Sequence, residues 1–221
     1  MANSDHRQRI GVIGGTFDPI HIGHLLVAER VRETLALNQV RFIPAATSPL
    51  KIAGEAADGK HRLEMVKLAI GGNSYFIADD RELRRGGKSY TVDTLAELHA
   101  DFPEADLVFL MGADSLMTLD RWHQPEKICQ LAFVAVVARG GEDTPDMSKL
   151  ERYLPAGKRE KLDDHLIRMP QIEISSSEIR SQLQQRRSVR YQLHPATAAY
   201  IEAHQLYAVP TQEPPSNSRN Q

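Results

Sequence analysis

The chain has 221 residues, 25% charged and 41% hydrophobic, and its 27 Lys and Arg against 29 Asp and Glu leave a net charge of −2. A chain of this size buries roughly 70% of its unfolded surface and needs no staple to fold, while its one cysteine, Cys129, excludes an intramolecular disulfide and a Cys-rich zinc cluster. The charge argues against a coat for nucleic acid or an anionic membrane, and the longest apolar run, the eight residues Leu131 to Ala138, falls short of the roughly 20 of a membrane helix.

The opening Met1-Ala2-Asn3-Ser4-Asp5-His6-Arg7 has no apolar signal core, so residues 1–9 read as a flexible N-terminus and a cytoplasmic protein is expected. Short apolar runs then alternate with amphipathic segments. Strands are predicted at Ile10–Ile13, Val40–Ile43, Tyr75–Ala78, Leu107–Met111 and Phe133–Val137. Helices are predicted near 24–36, 60–71, 91–100, 125–131, 176–186 and 195–204. The last two strands are apolar at consecutive positions, as central strands buried on both faces are. This alternation predicts an α/β fold: a Rossmann-like doubly wound parallel sheet with a small helical C-terminal subdomain over about 175–209. A single domain is expected over 10–209, and 210–221 (PTQEPPSNSRNQ) reads as a disordered tail. The connection from Pro44 to Lys60 is long for this fold and is expected to be a binding loop.

Open α/β sheets bind ligands outside the carboxyl ends of their strands, so the segments that follow the strands matter most. Neither G-x-G-x-x-G nor the P-loop pattern occurs. The first strand instead runs into Gly14-Gly15-Thr16-Phe17-Asp18-Pro19-Ile20-His21-Ile22-Gly23-His24. The helix that follows has an apolar stripe at Val27, Ala28, Val31 and Leu35. Stepping that stripe backwards puts His24 and His21 on the core-facing side of the helix start. Unpaired N–H groups and the positive end of the helix dipole point the same way, which makes a phosphate site. The plainer readings are half a metal site that nothing completes, packed histidines, or a bare Gly-Gly turn.

Three further segments reach the same sheet edge. Ser175-Ser176-Ser177-Glu178 matches a capping box before Arg180, either a plain cap or a second helix start offering N–H groups, hydroxyls and a guanidinium to a triphosphate. Gly112 and Asp114 follow a central strand, where Asp114 can accept from ribose hydroxyls or simply cap a helix. Arg139 ends the next strand, with an ordinary surface arginine as the alternative. Trp122, the one tryptophan, stands in the polar stretch Asp120-Arg121-Trp122-His123-Gln124. The basic patches Arg84-Arg85-Gly86-Gly87-Lys88 and Arg186, Arg187 and Arg190 read as solvated surface, with no nucleic-acid partner.

The run from Gly14 to His24 resembles the (H/T)-x-G-H signature of the nucleotidyltransferase superfamily, and in its full form the bacterial nicotinate-mononucleotide adenylyltransferase family. The resemblance spans about 10–207. It takes in Ser89-Tyr90-Thr91-Val92-Asp93-Thr94-Leu95, Met111-Gly112-Ala113-Asp114-Ser115-Leu116 with Trp122, Ala138-Arg139-Gly140 and Ile174-Ser175-Ser176-Ser177-Glu178-Ile179-Arg180. It implies adenylyl transfer from ATP to nicotinate mononucleotide, giving nicotinate adenine dinucleotide (deamido-NAD) and pyrophosphate in NAD biosynthesis.

By the same resemblance, ATP is held by Gly14, Gly15, Thr16, Phe17, His21, His24, Lys51, Gly112, Asp114, Arg139, Ser175, Ser176, Ser177 and Arg180. His21, His24 and Arg180 are the implied catalytic groups. Thr16, Thr91 and Trp122 are the implied mononucleotide site, with Trp122 stacked on the pyridine ring and Thr91 at its carboxylate. Mg²⁺ is expected on the ATP phosphates, with no ligand from the protein. One departure is visible: the family's loop commonly reads like Pro-Pro-His-Lys, whereas this chain has Ser48-Pro49-Leu50-Lys51, so only Lys51 carries over. The rival readings are an adenylyl- or cytidylyltransferase acting on nicotinamide mononucleotide or another phosphate acceptor, an inactive nucleotide-binding protein, and a zinc protein. No membrane partner is expected, and self-association is left open.

Overall fold

A computed structural model describes residues 7–49, 57–140 and 143–208, apart from the side chains of 139 and 157–161. Chain order is β1 (Arg9–Gly15), α1 (Ile22–Thr34), β2 (Gln39–Pro44), α2 (Gly59–Ile70), β3 (Phe76–Ala78), α3 (Arg81–Arg85) and α4 (Thr91–Asp101). There follow β4 (Asp106–Gly112), α5 (Ala113–Leu116), α6 (Pro125–Leu131), β5 (Phe133–Arg139) and α7 (Ser148–Glu151), then β6 (Leu166–Met169), α8 (Ser176–Gln184) and α9 (Pro195–Ala203). The strands form one sheet in the order β3-β2-β1-β4-β5-β6, with every neighbouring pair parallel. The chain winds outward from β1 to β3 and then crosses back to β4. The switch point therefore lies between β1 and β4, at their carboxyl ends.

Alternation along the strands builds a core on each face. Ile13 of β1 joins α1, α2, α8 and α9 in a cluster that includes Val31, Met65, Ile179 and Ile201. Ile10 and Val12 turn the other way, to Leu95 and Leu98 of α4 and Ile128 and Cys129 of α6. The C-terminal helices thus share their core with the first two. Among the described residues no helix is long and apolar enough to cross a membrane.

The doubly wound parallel sheet matches the expected fold class, and the short helices α3, α5 and α7 and the sixth strand are added to the expected elements. β6 escapes a reading for apolar runs because it has four residues, alternates in burial and follows the polar 3-10 stretch Ala156–His165. β1 begins at Arg9, inside the segment expected to be a flexible terminus, and β3 begins at Phe76 rather than Tyr75. The tail 210–221 and residues 50–56 of the long loop lie outside the described residues.

Candidate active site

The turn after β1 is built around two glycines and a buried ring. A Cβ on Gly14 would meet nothing within 4 Å, whereas one on Gly15 would sit 3.2 Å from the Phe17 ring. Phe17 itself adopts a left-handed backbone (φ 50°), which costs a residue with a Cβ about 1–2 kcal/mol. Burial holds it there: the ring is 2% exposed, edge-on to His24 at 5.1 Å and tilted against Phe42 at 6.0 Å.

His21 caps α1 with extended backbone, and its N–H donates to His24 Nδ1 at 3.2 Å. Since Nδ1 accepts, a neutral His24 ring carries its proton on Nε2 and presents a donor there. The two imidazoles lie 3.8 Å apart between centroids. The turn's carbonyls are taken up by other groups. Arg62 Nη1 donates to Thr16 O at 2.8 Å, Arg180 Nη1 to Asp18 O at 2.7 Å and Ser176 Oγ to Pro19 O at 2.9 Å.

Two cavities meet at Gly14. One, of about 410 Å³, is lined by His21, His24, Gly112, Asp114 and Ser175 to Ser177. It thereby gathers the starts of α1 and α8, two N-termini that favour anions. The other, of about 190 Å³, is lined by Gly15, Thr16, Glu82, Ser89, Tyr90, Thr91 and Trp122. Thr91 opens α4, whose cap Tyr90 makes no side-chain bond to the first turn, so this helix start also suits a carboxylate. Trp122 stands edge-on to Phe109 at 6.0 Å, and its buried Nε1 has no hydrogen-bond partner among the described residues. An unpaired buried donor costs about 1–3 kcal/mol, which a ligand acceptor would relieve.

Glu82 forms part of the smaller cavity's wall and is 6% exposed. Burial pushes its pKa above the usual carboxylate range, with hydrogen bonds from Thr94 and Ser89 acting in the opposite direction. Thr94 Oγ1 donates to Glu82 at 2.5 Å, and Ser89 Oγ accepts the Ala46 N–H at 2.9 Å. This chain of bonds ties the loop after β2 to the Ser89-Tyr90-Thr91 segment.

The expected ATP residues divide between these places. Gly14, His21, His24, Gly112, Asp114 and the three serines surround the larger cavity, but Gly15 and Thr16 face the smaller one beside Thr91 and Trp122. Phe17 lines neither and packs beneath His24. Arg180 lines neither and bonds the turn from behind. Asp114 is the second residue of α5, whose cap is Gly112, so the helix-cap alternative for it fails. Only half of the capping box forms: Ser175 Oγ accepts from Glu178 N at 3.2 Å, while the Glu178 carboxylate accepts from Gln182 Nε2 at 3.3 Å. Arg139 is the last residue of β5, its side chain outside those described, and Leu50 and Lys51 lie outside the described residues altogether. Among the described residues no three or more His, Cys, Asp or Glu gather as a metal site.

The sequence reading missed Glu82, Arg62, Tyr207 and the bonding role of Asp18. Of these, only Asp18 stood inside a recognised motif.

A doubly wound sheet with three helix starts and a histidine pair around its switch point defines a nucleotide-handling α/β protein. Residues 12–182 match the cytidylyltransferase-like family. A probable nicotinate-nucleotide adenylyltransferase of Rhodopirellula baltica is 44% identical over 200 residues, covering 90% of this chain and 94% of that protein. Its namesake from Thermomicrobium roseum is 42% identical over 199 residues, covering 90% and 91%. Among solved structures, Plasmodium falciparum nicotinic acid mononucleotide adenylyltransferase complexed with NaAD shares the fold, with a TM-score of 0.73 and 23% identity. That match covers 91% of this chain and 98% of the other. The chain belongs to the cytidylyltransferase-like family and, within it, to the nicotinate-nucleotide adenylyltransferases.

Proposed function

We propose that this nucleotidyltransferase moves the adenylyl group of ATP to the phosphate of nicotinate mononucleotide, forming nicotinate adenine dinucleotide and pyrophosphate. The observation that best supports the reading is the meeting of two chemically different cavities at Gly14. One is suited to polyphosphate, the other to an aromatic ring bearing a carboxylate. An acceptor phosphate brought to that junction attacks the α-phosphorus of ATP as pyrophosphate leaves in line. No protein nucleophile is needed, so rate comes from positioning and from charge stabilisation.

In this reading His24 donates Nε2–H to phosphate oxygens beside His21, and Ser175 to Ser177 receive the outer phosphates at the start of α8. Arg180 adds positive charge from behind the turn, and Lys51 and Arg139 keep the phosphate and nucleotide roles that the family resemblance implies. Asp114 accepts from ribose hydroxyls. The pyridine ring lies on Trp122 with its carboxylate at Thr91 and the start of α4. Mg²⁺ fits as a companion of ATP: the larger cavity offers imidazoles and hydroxyls with Asp114 as its one carboxylate, so the ion is held through phosphates and water. When bound it neutralises phosphate charge. The cytoplasm, where ATP is plentiful, is the place this reading assigns.

The test is product analysis with ATP and Mg²⁺, offering nicotinate mononucleotide, nicotinamide mononucleotide and phosphopantetheine in parallel. Deamido-NAD is expected to form much the fastest. Faster turnover of another acceptor discards the Thr91 and Trp122 roles, and no product from any acceptor leaves a nucleotide-binding protein.

A further inference from the structure

The least expected contacts of the phosphate turn come from the far end of the chain. Asp18 is 3% exposed, and its Oδ1 accepts the Tyr207 hydroxyl at 2.6 Å and the Ala57 N–H at 3.2 Å. Tyr207 lies beyond α9, 189 residues after its partner. Its backbone is left-handed (φ 64°), as is that of Phe17 (φ 50°), so non-glycine residues in an unfavourable conformation stand on both sides of one hydrogen bond. Such conformations persist where the surroundings over-determine them, and they gather at functional sites.

The same cluster holds Arg62, 2% exposed, whose Nε donates to Ala57 O at 3.1 Å and whose Nη1 reaches Thr16 O. Arg180 and Ser176 take the carbonyls of Asp18 and Pro19. Three carbonyls of the turn are thereby engaged by donors of the protein, which keeps their negative ends from incoming phosphates. Burial, and then the bond to Asp18, push the Tyr207 hydroxyl pKa far up, which keeps the proton on the oxygen that donates to Asp18.

We infer that Tyr207 is a positioning residue for adenylyl transfer: through Asp18 it fixes the turn that carries Thr16 and leads into His21 and His24. It lines neither cavity, so its effect on the reaction is transmitted by geometry. The shared acceptor Oδ1 also joins the turn to Ala57, where the chain re-enters from the long loop, so turn and loop end are set together. The inference rests on the adenylyl-transfer reading for its kinetic consequence but not for its structural one.

Tyr207→Phe keeps the ring and removes the hydroxyl. Misplacement of reacting groups by a fraction of an ångström lowers rate steeply, and the expected result is a fall in kcat of about tenfold or more. KM for both substrates should stay within about twofold, because the cavity linings are intact. Amide hydrogen exchange over residues 16–18 should quicken in the variant, a readout independent of turnover. In an Asp18→Ala background the same substitution should cost nothing further in kcat, since the bond is already gone.

A kcat within twofold of the parent overturns the inference. So does a loss carried by KM alone, or unchanged amide exchange, which decides the matter even if Asp18→Ala fails to fold. A parent protein that adenylates no acceptor overturns the functional reading instead, and the exchange measurement then still judges the brace.

Discussion

His24 has two tasks at one helix start. Its Nδ1 accepts the His21 N–H, which helps to close the first turn of α1, and in the neutral ring this leaves the proton on Nε2. His24→Ala is expected to lower kcat by about 10²-fold or more, the cost of removing one stabilising donor. The lost cap should cost only about 1 kcal/mol; steady-state kinetics beside a thermal melt separate the two. Trp122 borders the smaller cavity alone, so Trp122→Ala should raise KM for the mononucleotide well above any change for ATP. Equal changes would remove the stacking assignment.

Glu82 makes a pH statement. Its folded-state pKa lies above the unfolded one, so the folded protein holds the proton more tightly. That contribution is complete below the ordinary carboxylate pKa and is lost as pH rises through the raised value. Glu82→Gln should therefore flatten the fall in denaturation midpoint as pH rises above the ordinary carboxylate pKa. At this scale the sequence was informative where spacing alone places a side chain, as for His21 and His24 on the stripe of α1. It was silent on Arg62 and Tyr207, whose partners lie 46 and 189 residues away and follow no local period.

Elements near the sheet edge are held by a buried ion cluster. Asp79, just after β3, accepts from Arg41 of β2 at 2.8 Å and from Arg81 of α3 at 3.0 Å, and Arg81 also reaches Asp101 of α4 at 3.1 Å. Removing the shared carboxylate strands the poorly solvated Arg41 guanidinium and leaves Arg81 with its more exposed partners Asp101 and Glu97. Asp79→Ala is expected to cost about 3–5 kcal/mol, read as a drop in the urea midpoint with an unchanged slope. In the same region Arg84 is exposed, as the solvated-surface reading expects, whereas the Arg85 side chain is tied inward. Arg85 donates to Glu97 at 2.6 Å and to Thr94 at 3.1 Å, directly behind the Glu82 wall. Periodicity found the long helices and the central strands because burial imposes a repeat on them. Elements of four or five residues, such as α3, α5, α7 and β6, are too short to show one.

The two site cavities lie on either side of the end of β1, with Gly14 common to both. This shared residue has no Cβ to obstruct the junction, and none of the described residues lies within 4 Å of the vacant position. Gly14→Ala should therefore fold normally, with a melting temperature close to the parent's, while kcat/KM falls by about 10²-fold as the methyl enters the space where the substrates meet. A normal rate would show that the two ligands meet elsewhere.

Whole-chain order adds a consequence in time. The histidine turn leaves the ribosome well before Tyr207, whose hydroxyl bonds Asp18 and is made 189 residues later. Translation at about 5–20 residues per second separates them by roughly 10–40 s. Throughout that interval the nascent chain displays the motif without its C-terminal braces. A truncated polypeptide ending before Tyr207 keeps the residues that line the larger cavity, yet it lacks the hydroxyl that holds Asp18.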